Sequence, residues 1–398
     1  MIGEGLLRLG RADVAAEFLD FYAPYQFDSG KVPCCVDDRG ADPVPENDSH
    51  GELVYAIAEL YRYTGDRERL RRSSSMYRTA PCTFGQKRRS ERTPAVLAAT
   101  PAHYGLMPAS ISHEGYSAKP MHSYWDDFWA LRGYKDAVDI ATWLGHAEEA
   151  KAFAASRDEF AADLYASLDA AAKKHGIDFL PGAAELGDFD ATSTTIALAP
   201  GGEQHRLPAE RLEATFERYW REFVQRRDGK REWKDYTPYE LRVIGTFVRL
   251  GWRDRAHEAL DFLMKDRQPE GWNQWAEVVA RDPRRPFFLG DLPHAWVASD
   301  YVRSALDLFA YERDADHALV LAAGIPEAWL DGKGIRVRGL RTPYGPLSYS
   351  LRREGEGYRL TVDAGVSPPG GFVLRDMEVG ELELPFDNRL TPMVAPAR

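Results

Sequence analysis

Residues 124–169 read YWDDFWALRGYKDAVDIATWLGHAEEAKAFAASRDEFAADLYASLD. Apolar residues recur at spacings of three and four on either side of Trp143-Leu144-Gly145-His146, so each half can bury one helical stripe. A glycine in the last turn, followed by a polar residue, ends one helix and lets the next begin antiparallel to it. The spacing therefore predicts a helical hairpin, 124–144 and 147–169. The same wording returns in Arg62-Tyr63-Thr64-Gly65-Asp66 and in Leu250-Gly251-Trp252-Arg253-Asp254. Helical spacing also covers 12–24, 50–64, 207–226, 238–251, 254–265 and 296–313. Hairpins recurring at irregular intervals point to stacked helix pairs that close into a ring, rather than to a short-repeat solenoid.

The period changes after Tyr311. Residues 318–323, 335–338, 347–352, 358–362 and 372–374 are short alternating or β-branched runs divided by Gly and Pro, as in an antiparallel sheet. The expected organisation is a mainly α chain, with a helical domain over 1–315 and a β-rich accessory domain over 316–398. Residues 70–95 fall where another inward helix is due, yet they lack an apolar period and read first as a basic surface loop and second as an altered helix.

Bulk properties narrow the function. The net charge of −11 and a pI near 5.5 argue against nucleic acid, whose binders concentrate Lys and Arg on one face. No apolar run approaches a membrane span, and mean hydropathy is −0.46. Ten tryptophans suit stacking against sugar rings, although most Trp residues serve packing. Cys34, Cys35 and Cys82 are expected as free thiols. The N-terminus reads as amphipathic helix without a signal design, which places the chain as given in the cytoplasm, and it begins inside a helical repeat.

Long loops hold the unusual residues: 31–50, 104–123, 176–190, 229–238 and 268–294. Hydrolysing a glycosidic bond with inversion needs a carboxylic acid for the leaving oxygen and a carboxylate to activate water, about 6.5–9.5 Å apart. Two loop-to-helix junctions set carboxylates among aromatics, which raises a carboxyl pKa toward the range of a general acid. They are His122-Ser123-Tyr124-Trp125-Asp126-Asp127-Phe128-Trp129 and Trp272-Asn273-Gln274-Trp275-Ala276-Glu277.

The first junction resembles the general-acid segment of glucoamylases, trehalases and processing α-glucosidases, the six-hairpin glycosidases. The second, with Gly290-Asp291-Leu292-Pro293-His294-Ala295-Trp296, is similar to their general-base segment. The resemblance spans most of residues 1–315 in pattern, with specificity in these two motifs, and Asp126-Asp127 stands where glucoamylases have Glu-Glu. It implies an (α/α)6 toroid and an inverting glycoside hydrolase acting on an oligosaccharide or polysaccharide. Asp126 would be the general acid, Asp127 a supporting or alternative acid, and Glu277 the general base. Plain helix capping by Asp126 and Asp127, and an i,i+4 pair of Glu277 with Arg281, are the competing structural readings.

Glu46, Asp48 and His50, then His113, Glu114 and Tyr116, and Asp190 are candidate sugar partners, since hydroxyl-rich ligands need such groups. Trp125, Trp129, His122, Trp272, Trp275, His294 and Trp296 join them. Ser49 with Glu52 reads as a capping box. His50, His113, His122 and His294 lack zinc spacing, no calcium loop is present, and nucleotide motifs are absent, so neither a metal nor a cofactor is expected. A glycoside phosphorylase resembling maltose phosphorylase, and a non-catalytic carbohydrate-binding protein on the same fold, are the alternatives.

Overall fold

The computed structural model describes residues 1–113, 115–282 and 290–375, and the backbone of 379–383. It separates into two compact units, one of residues 13–219 and one joining residues 1–12 to the chain from 220 onward. In chain order the helices are α1 (Ile2–Arg8), α2 (Ala12–Tyr22), α3 (Asp48–Thr64), α4 (Arg67–Arg72), α5 (Ser74–Glu91), α6 (Pro94–Ala99) and α7 (Tyr124–Leu144). There follow α8 (Ala147–His175), α9 (Ala191–Leu198), α10 (Ala209–Arg227), α11 (Leu241–Leu250), α12 (Arg253–Lys265) and α13 (Ala295–Asp307). The chain is mainly helical, and no helix among the described residues is long and apolar enough to cross a membrane. Gly65, Gly145 and Gly251 close α3, α7 and α11 in the left-handed region at φ 66°, 82° and 82°, as the turn wording predicts.

Within residues 13–219 the dominant contact is the crossing of α3 and α7. A Cβ on Gly51 would lie 2.0 Å from the Trp129 carbonyl oxygen, and one on Gly133 would lie 2.8 Å from the Gly51 Cα. Glycine on both helices is therefore what lets the two backbones meet. Tyr124, Phe128, Leu131 and Tyr134 of α7 are buried, and Phe160, Leu164 and Leu168 line the buried face of α8.

The stretch expected first as a loop is helical. Tyr77, Ala80, Pro81, Phe84 and Arg88 form the buried stripe of α5. The period was hidden because Pro81 interrupts it and its last position is an arginine. Arg88 is buried because Glu159 and Asp163 of α8 take its guanidinium, the latter at 3.2 Å, and it lies over the Phe160 ring. Ser49 also departs from expectation. Asn47 occupies the N-cap of α3, and the Ser49 hydroxyl donates to Asp48 at 3.3 Å from inside the helix, so no capping box forms.

In the other unit α1 packs on α13. Arg8 donates to Asp307 at 2.8 Å and to the Ala310 carbonyl at 3.2 Å, and Glu4 pairs with Arg303 at 2.7 Å. The strand pair β1 (Val36–Asp37) and β2 (Gly40–Ala41) lies within residues 13–219, and the unit with α1 and α13 holds β3 (Asp235–Tyr236), β4 (Val279–Ala280), β5 (Ala310–Arg313) and β6 (Ala318–Leu321). They continue as β7 (Ile335–Thr342), β8 (Gly345–Glu354), β9 (Gly357–Val362), β10 (Phe372–Leu374) and β11 (Val379–Glu383). Helical spacing over 296–313 overruns here: α13 ends at Asp307, and Ala310 and Tyr311 pair with β6. The sheets order as β10-β6-β5 and β11-β9-β8-β7. The hairpins β5–β6, β7–β8 and β8–β9 are antiparallel as expected, whereas β10 joins β6 and β11 joins β9 in parallel. Parallel pairing needs a crossover rather than a tight turn, which the alternating pattern of single strands does not register.

Gly51→Ala is expected to destabilise the protein by about 1–3 kcal/mol or more through overpacking at the α3–α7 crossing, read as a lowered urea midpoint. An exposed control, Gly229→Ala, meets nothing within 4 Å and should lose about 1–2 kcal/mol, from its positive φ alone.

Candidate active site

Ser123, in extended conformation, holds the N-cap position of α7 without a side-chain capping bond, which puts Trp125, Asp126 and Asp127 in the first turn. Anions are favoured there by the helix dipole. Neither aspartate caps its own helix. Asp126 accepts from the Ser110 hydroxyl at 2.5 Å and the Ser112 hydroxyl at 2.9 Å, and Asp127 accepts from the Met107 backbone N–H at 2.8 Å. Both residues are 0% exposed. Burial, then the neighbouring Asp48 charge, pushes the Asp126 carboxyl up from 3.8 to about 8, against the two serine hydroxyls and Lys87. Burial chiefly raises Asp127 well above the usual range, and its Oδ2 has no hydrogen-bond partner among the described residues.

Asp48, at the start of α3, accepts from the Trp125 indole N–H at 2.8 Å. Ser112 adopts φ 56°, a conformation uncommon outside glycine, asparagine and aspartate. In that turn its N–H reaches Ser110 Oγ at 2.7 Å and its hydroxyl lies 3.0 Å from His113 Nδ1. His113 Nε2 meets Ser193 Oγ at 3.0 Å, and Ser193 donates to Asp190 at 2.6 Å. A continuous hydrogen-bonded row thus runs Asp126, Ser112, His113, Ser193, Asp190. The His113 ring lies 4.8 Å from that of Trp125 and edge-on to Tyr116, whose hydroxyl donates to Asp188 at 3.1 Å.

Other expected residues take different places. Trp129 is packed in the core against Tyr55 and Trp125. His50 is fully buried, accepts from the Val32 N–H at 3.0 Å, and is kept neutral by burial, its pKa down to about 3. Glu46 is buried, Glu114 lies outside the described residues, and His122 is held by Glu185. Lys87 of α5 donates to Asn47 at 2.8 Å and opposes the rise of Asp126.

Glu277 belongs to the other unit. It stands in a loop before β4, and not at the head of a helix as its motif suggests. Arg281 pairs with Glu232, so the i,i+4 pair with Glu277 does not form. The Asp291 N–H donates to Glu277 at 3.3 Å, and His294 Nε2 lies 3.8 Å away. His294 Nδ1 caps α13 by accepting from Val297 N–H at 3.3 Å, while its Nε2 meets the Tyr239 hydroxyl at 3.2 Å. Tyr239 is also edge-on to Trp296. No sequence signal singled out Tyr239. Trp275 is buried with its indole N–H on the Leu263 carbonyl at 3.0 Å, whereas Trp272 is 60% exposed.

No family model and no curated protein matches the chain. Solved structures do. A GH78 family rhamnosidase of Bacillus sp. GL1 is 13% identical with a TM-score of 0.56, over 97% of this chain and 38% of its own. The α-L-rhamnosidase from Dictyoglumus thermophilum is 12% identical with a TM-score of 0.55, over 92% and 40%. The one from Aspergillus terreus is 15% identical with a TM-score of 0.54, over 92% and 42%. The chain thus shares their fold and spans about two fifths of their length. These neighbours are rhamnosidases, not the glucoamylase or trehalase type that the motifs resemble.

The raised Asp126 pKa sets a stability profile. Between about pH 4 and 8 the folded chain keeps a proton that the unfolded chain has lost, so stability falls as pH rises through that window and levels above it. Urea unfolding of the wild type relative to Asp126→Asn is expected to show this decline, with a slope approaching about 1.4 kcal/mol per pH unit.

Proposed function

We propose that the chain is an inverting glycoside hydrolase whose helical hairpins close into an (α/α)6 toroid over residues 1–315, with 316–398 as a β-rich accessory domain. The observation that carries this reading is a carboxylic acid, Asp126, held protonated near neutral pH at the head of α7 beneath a loop of serine hydroxyls. A group that keeps its proton at working pH and sits among oriented hydroxyls suits protonation of a glycosidic oxygen. The fold shared with rhamnosidases supports the same class and makes α-L-rhamnosides the first substrates to try.

In this mechanism Asp126 gives its proton to the leaving oxygen, and Glu277 takes one from the attacking water. Bond cleavage and attack occur on opposite faces of the sugar ring, which inverts the anomeric centre. Ser110 and Ser112 cover both Asp126 oxygens, so the acid acts either after the 110–112 segment lifts or through the Ser110 hydroxyl as a relay. His113 and Asp190 orient Ser112 from behind. Exposed Trp272 supplies a stacking face, and Asp127 keeps the Met107 loop in place.

The complete burial of Asp126 favours one second reading, a carbohydrate-binding protein without turnover. The deciding assay is sugar release from α-L-rhamnosides and a wider glycoside panel, with and without phosphate. The hydrolase reading expects phosphate-independent turnover that Asp126→Asn and Glu277→Gln each lower by about 10²–10⁴-fold in kcat. Turnover only with phosphate would mean a phosphorylase, and sugar binding without turnover by the folded protein would establish the second reading.

A further inference from the structure

His103 ends the turn 101–103, His122 lies two residues before α7, Glu185 follows α8, and Glu91 is the last residue of α5. The fold brings these four together within residues 13–219. One ligand atom from each of His103, His122 and Glu185 lies within 4.8 Å of the other two. The imidazole rings stack with centroids 4.3 Å apart and planes 27° apart. His122 Nδ1 is bonded to Glu185 Oε1 at 2.5 Å, and the same carboxylate accepts the His122 backbone N–H at 3.0 Å. An ion taking the place of that Nδ1 proton would lie between Nδ1 and Oε1, and the proton would move to Nε2, where Glu91 stands as the carboxylate found behind metal-binding histidines.

His122 is only 8% exposed, and its Nε2 is buried without a hydrogen-bond partner among the described residues. His103 Nε2 is in the same condition. Each faces a carboxylate beyond hydrogen-bonding range, His122 Nε2 with Glu91 at 3.6 Å and His103 Nε2 with Glu185 at 3.9 Å. Two buried lone pairs cost free energy unless something satisfies them, and two imidazolium rings stacked face to face would repel. A cation held by His103 Nε2, His122 Nδ1 and Glu185 gives the His103 nitrogen a partner, leaves the His122 proton on Nε2 opposite Glu91, and balances the two carboxylates.

We propose that His103, His122 and Glu185 bind a divalent transition cation of the zinc class, with Glu91 behind His122. Mixed imidazole and carboxylate donors suit zinc better than calcium or magnesium, which take oxygen alone. Zinc bonds of about 2.0–2.2 Å set ligand atoms roughly 3.4 Å apart in a tetrahedron, so His122 Nδ1 and Glu185 Oε1, now 2.5 Å apart, would open and His103 Nε2, now 3.9 Å from Glu185, would close. The ion would join the turn 101–103 and the loop after α8 to the segment entering α7. It requires no catalytic role, and its presence is independent of the reaction proposed above.

Cys34, Cys35 and Asp42 form a second cluster that could take up zinc, so the test uses the full chain with Cys34→Ser and Cys35→Ser. After chelator treatment, zinc titration is expected to show one equivalent bound and a melting temperature that rises with zinc concentration. His103→Gln and His122→Asn should each weaken binding at least tenfold, with far-UV circular dichroism reporting the fold. If His122→Asn unfolds, His103→Gln, on a short surface turn, carries the test alone. No zinc uptake by the chain lacking Cys34 and Cys35, or uptake that the folded histidine variants leave unchanged, would overturn the site and leave His122 as a residue held by Glu185 and Glu91.

Discussion

The meeting of Gly51 and Gly133 at the α3–α7 crossing is the constraint on which residues 13–219 depend. Side chains at either position would hold the helices apart, since the added carbon would lie 2.0 Å from the Trp129 carbonyl oxygen or 2.8 Å from the Gly51 Cα. Asp48 lies three residues before Gly51, and Asp126 three residues before Trp129, so this one contact sets both acids at the same end of the crossing. The bond from Trp125 to Asp48 at 2.8 Å follows from that placement, as does the Asp48 charge that helps to raise Asp126. Packing here decides electrostatics.

The buried acids divide by their partners. In the unit that includes the C-terminal chain, Asp300 is met by Arg242 at 2.7 Å and Asp307 by Arg8 at 2.8 Å, with Arg249 beside it. Asp163 is held in the same manner by Arg88 and Arg92. Such pairs offset the desolvation of each charge and tie helices together. Asp126 and Asp127 have no ion pair among the described residues; hydroxyls and one backbone N–H are their direct partners. Burial raises the Asp126 and Asp127 carboxyls with no paired cation to oppose it, whereas at Asp300 Arg242 and Arg303 act against the same burial.

Much of the framework was legible because helical period and turn glycines are local. The hairpins at Gly65, Gly145 and Gly251 stand where the wording placed them. The motif 122–129 was legible as acids among aromatics, a property of neighbouring residues. What escaped was non-local. Helix α5 was hidden because the last position of its buried stripe is Arg88, whose burial makes sense only with Glu159 and Asp163 some seventy residues on. Trp125 and Trp129 read as stacking platforms, and their burial depends on α3 and on His113. Glu277 read as helical because its motif resembles one that precedes a helix, and pairing of β4 with β3 settled the matter otherwise.

By itself the sequence determined the helical hairpins, the change to strands after the last long helix, and the embedding of Asp126 and Glu277 among aromatics, because each follows from residues within a few turns of one another. Tertiary structure alone decided which acids are neutralised, which aromatics are buried, and that His103, His122 and Glu185 share one corner. Those outcomes depend on dielectric, distance and partner identity between residues as far as 299 positions apart, and such quantities exist only once the chain has folded.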